Sequence, residues 1–212
     1  MKDYIIKICG LTNKEQAKKI AFLGATHIGM VYFDKSPRHV DMEKIKDITK
    51  EIEGISKSVA VVVNPSEETV WKLLDIVDVI QFHGEESIEF VAKFPEEKVI
   101  KAFRIKNEKD VNRIKPFVEK NYLILIDAYS EKAYGGTGKQ VNPELAKKVL
   151  QMHRRTVLSG GLSPENVEKL LRQIKPYGVD ASSKLEIKPG VKDLKKVKEF
   201  IERVKRFYES DS

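Results

Sequence analysis

The sequence predicts an α/β protein, a (β/α)8 TIM barrel that spans residues 1–212 as a single domain, from three observations. Eight short apolar runs have the length of buried β-strands, and amphipathic helix patterns separate them. Such alternation is typical of parallel βαβ units. A chain of 212 residues holds one complete core and lies near the short end for this barrel. A doubly wound open sheet is the alternative, and the number of strands distinguishes the two.

The β-like runs recur along the whole chain at similar intervals. They are Tyr4–Ile8, Thr26–Phe33, Ser58–Val63, Asp78–Phe82, Lys98–Phe103, Tyr122–Ile126, Thr156–Ser159 and Gly178–Ser182. Each run is bounded by polar, glycine or proline residues, as strands of this length usually are.

Helices are predicted between the runs from apolar spacing and from cap residues. Helical spacing is clear in two sets: Met42, Ile45, Ile48 and Ile52, and then Val191, Leu194, Val197, Phe200, Ile201 and Val204. Three segments have the pattern of helix starts: Thr12-Asn13-Lys14-Glu15 as a capping box, and Asn142-Pro143 and Ser163-Pro164 as a cap followed by proline.

Composition and charge narrow the range of partners. The formal net charge of +7 permits anionic partners, but the excess lysines are interleaved with glutamates, as between Lys192 and Lys205. No basic run is interleaved with aromatic residues, so a solvated surface is favoured over a nucleic-acid interface. The single cysteine cannot form an intrachain disulfide, which favours a cytoplasmic setting. No apolar run is long enough to cross a bilayer, and no membrane partner is expected.

Active sites of (β/α)8 barrels lie at the carboxyl ends of the strands. Here every predicted strand is followed by polar or glycine residues: Cys9-Gly10, Asp34 to Arg38, Asn64, His83-Gly84, Arg104, Asp127, Gly160-Gly161 and Ser182-Ser183. Loops are polar in any protein, but eight consecutive strand ends of this kind favour a site.

Strand parity relates two of these residues. Cys9 shares a face with Ile5 and Lys7, and Asp127 shares a face with Leu123 and Leu125. If these faces fill the barrel, a thiol and a carboxyl lie at its mouth and supply a base and an acid. The alternatives are a buried, inert cysteine and an aspartate that caps a turn. Lys7, buried on the same face, is expected to have a carboxylate partner. Either it only completes this interior ion pair, or its positive charge also lowers the pKa of Cys9.

An anion site is predicted after the seventh and eighth strands. Gly160-Gly161 and Ser182-Ser183 offer backbone N–H groups and small hydroxyls at the usual phosphate position of this fold. Gly135-Gly136-Thr137-Gly138-Lys139 is not a nucleotide-binding P-loop, because Ala133 and Gln140 stand where glycine and Ser or Thr are required. We interpret residues 128–141 as a mobile loop over the mouth. The four histidines lack the spacing of metal ligands, so no metal is expected.

Several segments in this order resemble the phosphoribosylanthranilate isomerases of tryptophan biosynthesis. They are Lys7-Ile8-Cys9-Gly10-Leu11-Thr12, Ser36-Pro37-Arg38, Gln81-Phe82-His83-Gly84, Asp127-Ala128-Tyr129, the glycine-rich segment 135–139, Gly160 to Val167, Pro176 to Ser183 and Pro189 to Asp193. The resemblance covers nearly the whole chain and implies a (β/α)8 barrel. It also implies a cofactor-free Amadori rearrangement of a phosphorylated aminoaldose to the aminoketose, by a monomer or a homodimer.

The resemblance also implies roles for individual residues. Cys9 is then the general base and Asp127 the general acid, while Arg38 holds the carboxylate of the anthranilate. Gly160, Gly161, Ser182 and Ser183 hold the phosphate, Asp180 lies near the ribose hydroxyls, and His83 is a further substrate-binding candidate. The sequence departs from the family pattern at Lys184-Leu185-Glu186, where Gly-Val-Glu is usual, and at Gln140-Val141-Asn142.

Two other functions remain open at this stage. A related phosphate-binding barrel isomerase of histidine biosynthesis would use paired aspartates, one of them on the first strand, where this chain has Cys9. A non-catalytic protein that binds anions or nucleic acid is compatible with the positive charge alone.

Overall fold

The computed structural model describes residues 4–128 and 142–210, and in it eight parallel strands form a closed barrel. The strands are β1 (Ile5–Cys9), β2 (His27–Tyr32), β3 (Lys57–Val62), β4 (Val79–Phe82), β5 (Val99–Ile105), β6 (Leu123–Ala128), β7 (Thr156–Leu158) and β8 (Gly178–Ala181). β8 pairs with β1, with Lys7 opposite Asp180, so the sheet has no free edge. Closure confirms the predicted barrel and excludes the open sheet.

Helices follow the strands and cover the outside of the barrel. They are α1 (Lys14–Leu23), α2 (Met42–Ile52), α3 (Glu67–Leu74), α4 (Ile88–Val91), α5 (Glu108–Asn112), α6 (Lys115–Glu119), α7 (Pro143–Met152), α8 (Pro164–Ile174) and α9 (Leu194–Ser210). Asn142 and Ser163 cap α7 and α8 in front of proline, as predicted. None of the helices in the two described ranges has the length and apolarity that a bilayer crossing requires.

Strand parity separates the core into two parts. Outward-facing side chains such as Ile6, Ile8 and Phe82 pack against the helices. The inward faces carry a smaller cluster: Ile5, Val59, Val79, Ile100, Ala102, Leu125 and Val157. Because side chains alternate along a strand, the inward faces that begin with Ile5, Val79 and Leu125 continue to polar residues at the carboxyl end. The apolar cluster therefore fills the lower barrel, and the mouth is polar.

The structure corrects two local predictions. The N-cap of α1 is Asn13, whose side chain accepts from the Gln16 N–H, whereas the Thr12 hydroxyl donates to the carbonyl of Gly190. Val191 lies outside α9, in a short antiparallel hairpin of β9 (Glu186–Lys188) and β10 (Val191–Lys192). The hairpin packs beside the barrel mouth, and the loop predicted at 128–141 lies outside the described residues, except for Ala128 at the end of β6.

Candidate active site

The thiol of Cys9 lies at the carboxyl end of β1 and is almost completely buried. Gly29 on β2 provides the space for it: a Cβ atom at Gly29 would lie 2.8 Å from the Cys9 sulfur and 3.0 Å from the Lys7 ammonium. At such distances a larger residue must displace the thiol or the ammonium, so glycine at this point of β2 keeps both side chains in place. Both side chains thus point into the barrel, as strand parity predicts.

Lys7 is completely buried one layer below Cys9, and its predicted carboxylate partner is Asp180 on β8. Lys7 Nζ lies 2.9 Å from Asp180 Oδ1, and the other carboxylate oxygen accepts a bond of 3.2 Å from the Ser159 hydroxyl. Burial lowers the pKa of Lys7, but the charge of Asp180 and the thiol of Cys9 outweigh it, so that the pKa is raised overall. The ammonium is therefore charged and lies against the thiol.

The pKa of the Cys9 thiol is raised, chiefly because burial disfavours the thiolate. Lys7 opposes this shift through its charge and a hydrogen bond, Asp180 adds to it, and Lys192 opposes it. The direction predicted for the influence of Lys7 is thus present, but burial exceeds it.

Asp127 lies at the carboxyl end of β6, buried beside His83 from β4. His83 Nε2 is 3.5 Å from Asp127 Oδ2, and His83 Nδ1 is 3.2 Å from the Gln81 amide nitrogen. Since an amide nitrogen donates, Nδ1 is the acceptor in this contact, and Nε2, which faces Asp127, carries a proton. Among the described residues, neither Gln81 Oε1 nor His83 Nε2 makes a hydrogen bond, although both atoms are buried. The site therefore holds two polar atoms that a ligand can satisfy.

Arg38 reaches the mouth from the loop after β2, where Gly10 leaves room for it. Gly10 adopts a φ of +81°, and a Cβ there would lie 2.6 Å from Arg38 Cδ. The guanidinium makes two hydrogen bonds of 2.8 and 2.7 Å to the Glu186 carboxylate on β9. Glu186 also pairs with the ammonium of Lys192 on β10 at 2.7 Å. The sequence patterns predicted neither Glu186 nor Lys192 as part of the site.

The predicted phosphate segments lie at the carboxyl ends of the neighbouring strands β7 and β8. Gly160 and Gly161 adopt φ values of +93° and +62°, which favour glycine. The Ser182 hydroxyl donates to the carbonyl of Cys9 at 2.9 Å and thereby joins the β8 end to the β1 end. Ser183 begins a short 3-10 turn, and the neighbouring Lys184 is exposed to solvent.

The structure thus brings Cys9, Asp127, His83, Asp180 and Arg38 to the same end of the barrel, with both phosphate segments. The arrangement offers a thiol beside an ammonium, a carboxyl beside an imidazole, and a partly buried arginine, which suit proton transfer on an anionic ligand. The described part of the chain contains no group of three or more His, Cys, Asp or Glu side chains placed to bind a metal ion.

Comparison with known proteins identifies the family. The model of the N-(5'-phosphoribosyl)anthranilate (PRA) isomerase family matches residues 6–203. N-(5'-phosphoribosyl)anthranilate isomerase of Sulfurihydrogenibium sp. (strain YO3AOP1) is 53% identical over 201 residues, which cover 95% of this chain and 98% of that protein. The crystal structure of phosphoribosyl anthranilate isomerase from Thermotoga maritima superposes with a TM-score of 0.88 at 36% identity, covering 95% and 98% of the two chains.

A second solved structure adds a ligand. It is phosphoribosyl anthranilate isomerase in complex with reduced 1-(o-carboxyphenylamino)-1-deoxyribulose 5-phosphate, with a TM-score of 0.84, 34% identity and coverage of 95% and 98%. The matches extend over almost the full length of both partners, and the barrel mouth carries the predicted polar residues. This chain belongs to the N-(5'-phosphoribosyl)anthranilate isomerase family.

Proposed function

We propose that this chain converts N-(5'-phosphoribosyl)anthranilate to 1-(2-carboxyphenylamino)-1-deoxyribulose 5-phosphate, a step of tryptophan biosynthesis. The reaction is an Amadori rearrangement, an internal oxidation and reduction that needs no external electron carrier. The observation that carries the proposal is the placement of a buried thiol and a buried carboxyl at the carboxyl ends of β1 and β6 in one barrel. Membership of the family and a relative's complex with the reduced product support it.

Asp127 is proposed as the general acid and Cys9 as the general base. Asp127 protonates the furanose ring oxygen, so the C1'–O bond breaks and a Schiff base forms at C1'. Cys9, as thiolate, then removes the proton from C2', and the electrons of that bond reduce the Schiff base to the enolamine. Tautomerisation gives the aminoketose. Lys7 stabilises the thiolate by charge, and the Asp127 carboxyl lies beside the His83 imidazole.

Substrate binding is assigned to the remaining polar residues of the mouth. Arg38 pairs with the anthranilate carboxylate, a charge-assisted contact. The backbone of Gly160-Gly161 and Ser182-Ser183 binds the phosphate. His83 Nε2 and Gln81 Oε1, two buried atoms without a protein partner in the described ranges, are suited to bond the sugar hydroxyls. Asp180, which already accepts hydrogen bonds from Lys7 and Ser159, is assigned to a position near the ribose hydroxyls.

The test is turnover of the aminoaldose, followed by the decrease of its anthranilate fluorescence. The Asp127→Asn variant preserves the shape of the side chain but cannot deliver a proton, so kcat should fall by roughly a hundredfold or more. Its affinity for the reduced product analogue should stay near that of the wild type, which shows that the site is intact. An inactive wild type, or an Asp127→Asn variant with wild-type kcat, contradicts the proposal. The corresponding histidine-pathway aminoaldose serves as the competing substrate.

A further inference from the structure

Arg38, Glu186 and Lys192 form a buried cluster of three charges at the edge of the barrel mouth. The side chains are 12%, 4% and 0% exposed, respectively. Arg38 comes from the loop after β2, while Glu186 and Lys192 lie on the two strands of the β9–β10 hairpin. Two positive charges surround one carboxylate, so the cluster keeps a net charge of +1. Such an excess of buried positive charge is costly unless it serves an anion.

The hydrogen bonds fix which edge of the guanidinium remains for a ligand. A guanidinium carries five N–H groups. Glu186 engages the edge formed by Nε and Nη2, with both of its oxygens. The other edge, formed by Nη1 and Nη2, has no hydrogen-bond partner among residues 4–128 and 142–210. That edge is the second position at which a planar carboxylate can bind in a bidentate manner.

The side chain of Lys192 has an acceptor for each of its three N–H groups. It donates to Glu186 Oε1 at 2.7 Å, to the carbonyl oxygen of Ser182 at 3.3 Å and to the Ser182 hydroxyl at 3.4 Å. Three acceptors match the three N–H groups of an ammonium. Burial lowers the pKa of Lys192, and Glu186 opposes the shift.

We propose that Glu186 and Lys192 are positioning residues that make Arg38 a receptor for the substrate carboxylate. The inference rests on the proposed function, since the anthranilate supplies that carboxylate. Glu186 bonds the Nε and Nη2 edge of the guanidinium and thereby fixes its orientation. Arg38 therefore loses fewer rotamers when the ligand binds. Lys192 offsets the charge of Glu186, and the full positive charge of Arg38 remains available to the ligand. Without Lys192, the ligand would meet an Arg–Glu pair that is neutral as a whole.

Two variants distinguish the effect of guanidinium orientation from the effect of the Lys192 charge. Glu186→Asp keeps the negative charge but shortens the side chain by one methylene group, so only the orientation of the Arg38 guanidinium changes. Lys192→Met keeps the approximate volume of the lysine and removes only its charge. Arg38→Ala, alone and combined with Lys192→Met, completes a double-mutant cycle.

The measured quantity is the ratio of the affinities for a ligand with the carboxylate and for the same ligand without it. Affinity is measured for reduced 1-(o-carboxyphenylamino)-1-deoxyribulose 5-phosphate and for the same compound without the carboxyl group on the ring. We expect the wild type to prefer the carboxylated ligand, and each single variant at Glu186 or Lys192 to lose about three- to tenfold of that preference. Affinity for the ligand without the carboxyl should stay unchanged, and Lys192→Met should cause no further loss in the Arg38→Ala background.

A merely structural role of the pair predicts a different result. Both ligands would then lose affinity equally, or the melting temperature would fall while the preference stayed constant, and either outcome overturns the inference. Should Lys192→Met fail to fold, Lys192→Gln retains a donor to Glu186 without the charge and takes its place in the cycle. Wild-type turnover of the aminoaldose tests the proposed function separately, because the preference is measured by binding alone.

Discussion

At the scale of single residues, two buried charges of opposite sign govern the Cys9 thiol. Lys7 favours the thiolate through its charge and a hydrogen bond, and Asp180, the partner of Lys7, disfavours it. Burial is the largest influence and raises the thiol pKa. A base formed from such a thiol depends on its electrostatic surroundings, since the charge of a thiolate is costly in a dry site.

Replacement of Lys7 and replacement of Asp180 should shift the pKa of the Cys9 thiol in opposite directions. Lys7→Met removes the charge that stabilises the thiolate, so the thiol pKa should rise above that of the wild type. Asp180→Asn removes a nearby negative charge, and the thiol pKa should fall. The pH dependence of alkylation by a small reagent measures both, because Cys9 is the only cysteine of the chain. If the three alkylation curves coincide, Lys7 and Asp180 serve packing and pairing alone.

At the scale of elements, parity along β1 and β6 was sufficient to predict which side chains enter the barrel. Ile5, Lys7 and Cys9 do share the inward face, and Leu125 packs inside below Asp127. A periodicity of two holds wherever a strand is regular, so a sequence without structural information reveals it. The apolar runs also predicted the positions of the strands, and each predicted end differs from the observed one by at most two residues.

Local patterns did not predict contacts between elements that are distant along the chain. Glu186 meets Arg38 across 148 residues, and no spacing rule relates the two. Pro189-Gly190 is a turn signal that indicates a hairpin at this point, yet the helical spacing of Val191 with Leu194 favoured a helix. Thr12 fits a cap as well as Asn13 does, and its bond to Gly190 decides which residue caps α1. In each case, a tertiary contact overrides the local preference.

The contact between β1 and β2 makes a prediction about Gly29. In Gly29→Ala, the added methyl group meets the Cys9 sulfur, the Lys7 ammonium and the Cys9 Cα, the last at 3.1 Å. Relief of the overlap must displace Cys9, the proposed base, so kcat should fall about ten- to a hundredfold. The free energy of unfolding should fall by about 1–3 kcal/mol.

Gly54→Ala is the matched control for this variant. Gly54 lies in the loop before β3, at the opposite end of the barrel, with φ of +74° and no atom within 4 Å of the added Cβ. The control should lose about 1 kcal/mol or more of stability through backbone strain, and its kcat should stay unchanged. A Gly29→Ala enzyme with full kcat would show that Cys9 tolerates displacement or is not the base.

At the scale of the whole molecule, the two ends of the barrel use buried polar groups for different purposes. The carboxyl ends of the strands carry the candidate site, where Gln81 Oε1 and His83 Nε2 make no hydrogen bond within residues 4–128 and 142–210. The amino ends carry groups that bond one another: the amide and hydroxyl of Ser58 both donate to Asp78 at 2.7 Å, and Thr26 Oγ1 lies 2.8 Å from His27 Nδ1. This division matches the general separation of function and stability in the fold.

His27 makes the stability of the barrel dependent on pH. Burial, with the positive charges of Lys57 and Lys7, lowers the pKa of His27 from 6.5 to about 3. The unfolded chain therefore binds a proton between these values that the folded protein excludes, and stability is lost as the pH falls from 6.5 towards 3. At pH 5 the loss from this group amounts to about 2 kcal/mol.

The His27→Asn variant isolates this contribution, since the amide oxygen can replace Nδ1 beside Thr26 and does not titrate. The free energy of unfolding, measured by denaturant titration at pH 7.5 and at pH 5, should decrease by about 2 kcal/mol more in the wild type than in the variant. The buried His153, whose pKa is lowered mainly by burial, adds a loss of the same sign to both proteins and cancels in the difference. Equal decreases in the two proteins would mean that His27 accepts its proton inside the folded barrel, with Asp78, whose negative charge raises the pKa of His27, as the group that stabilises the imidazolium.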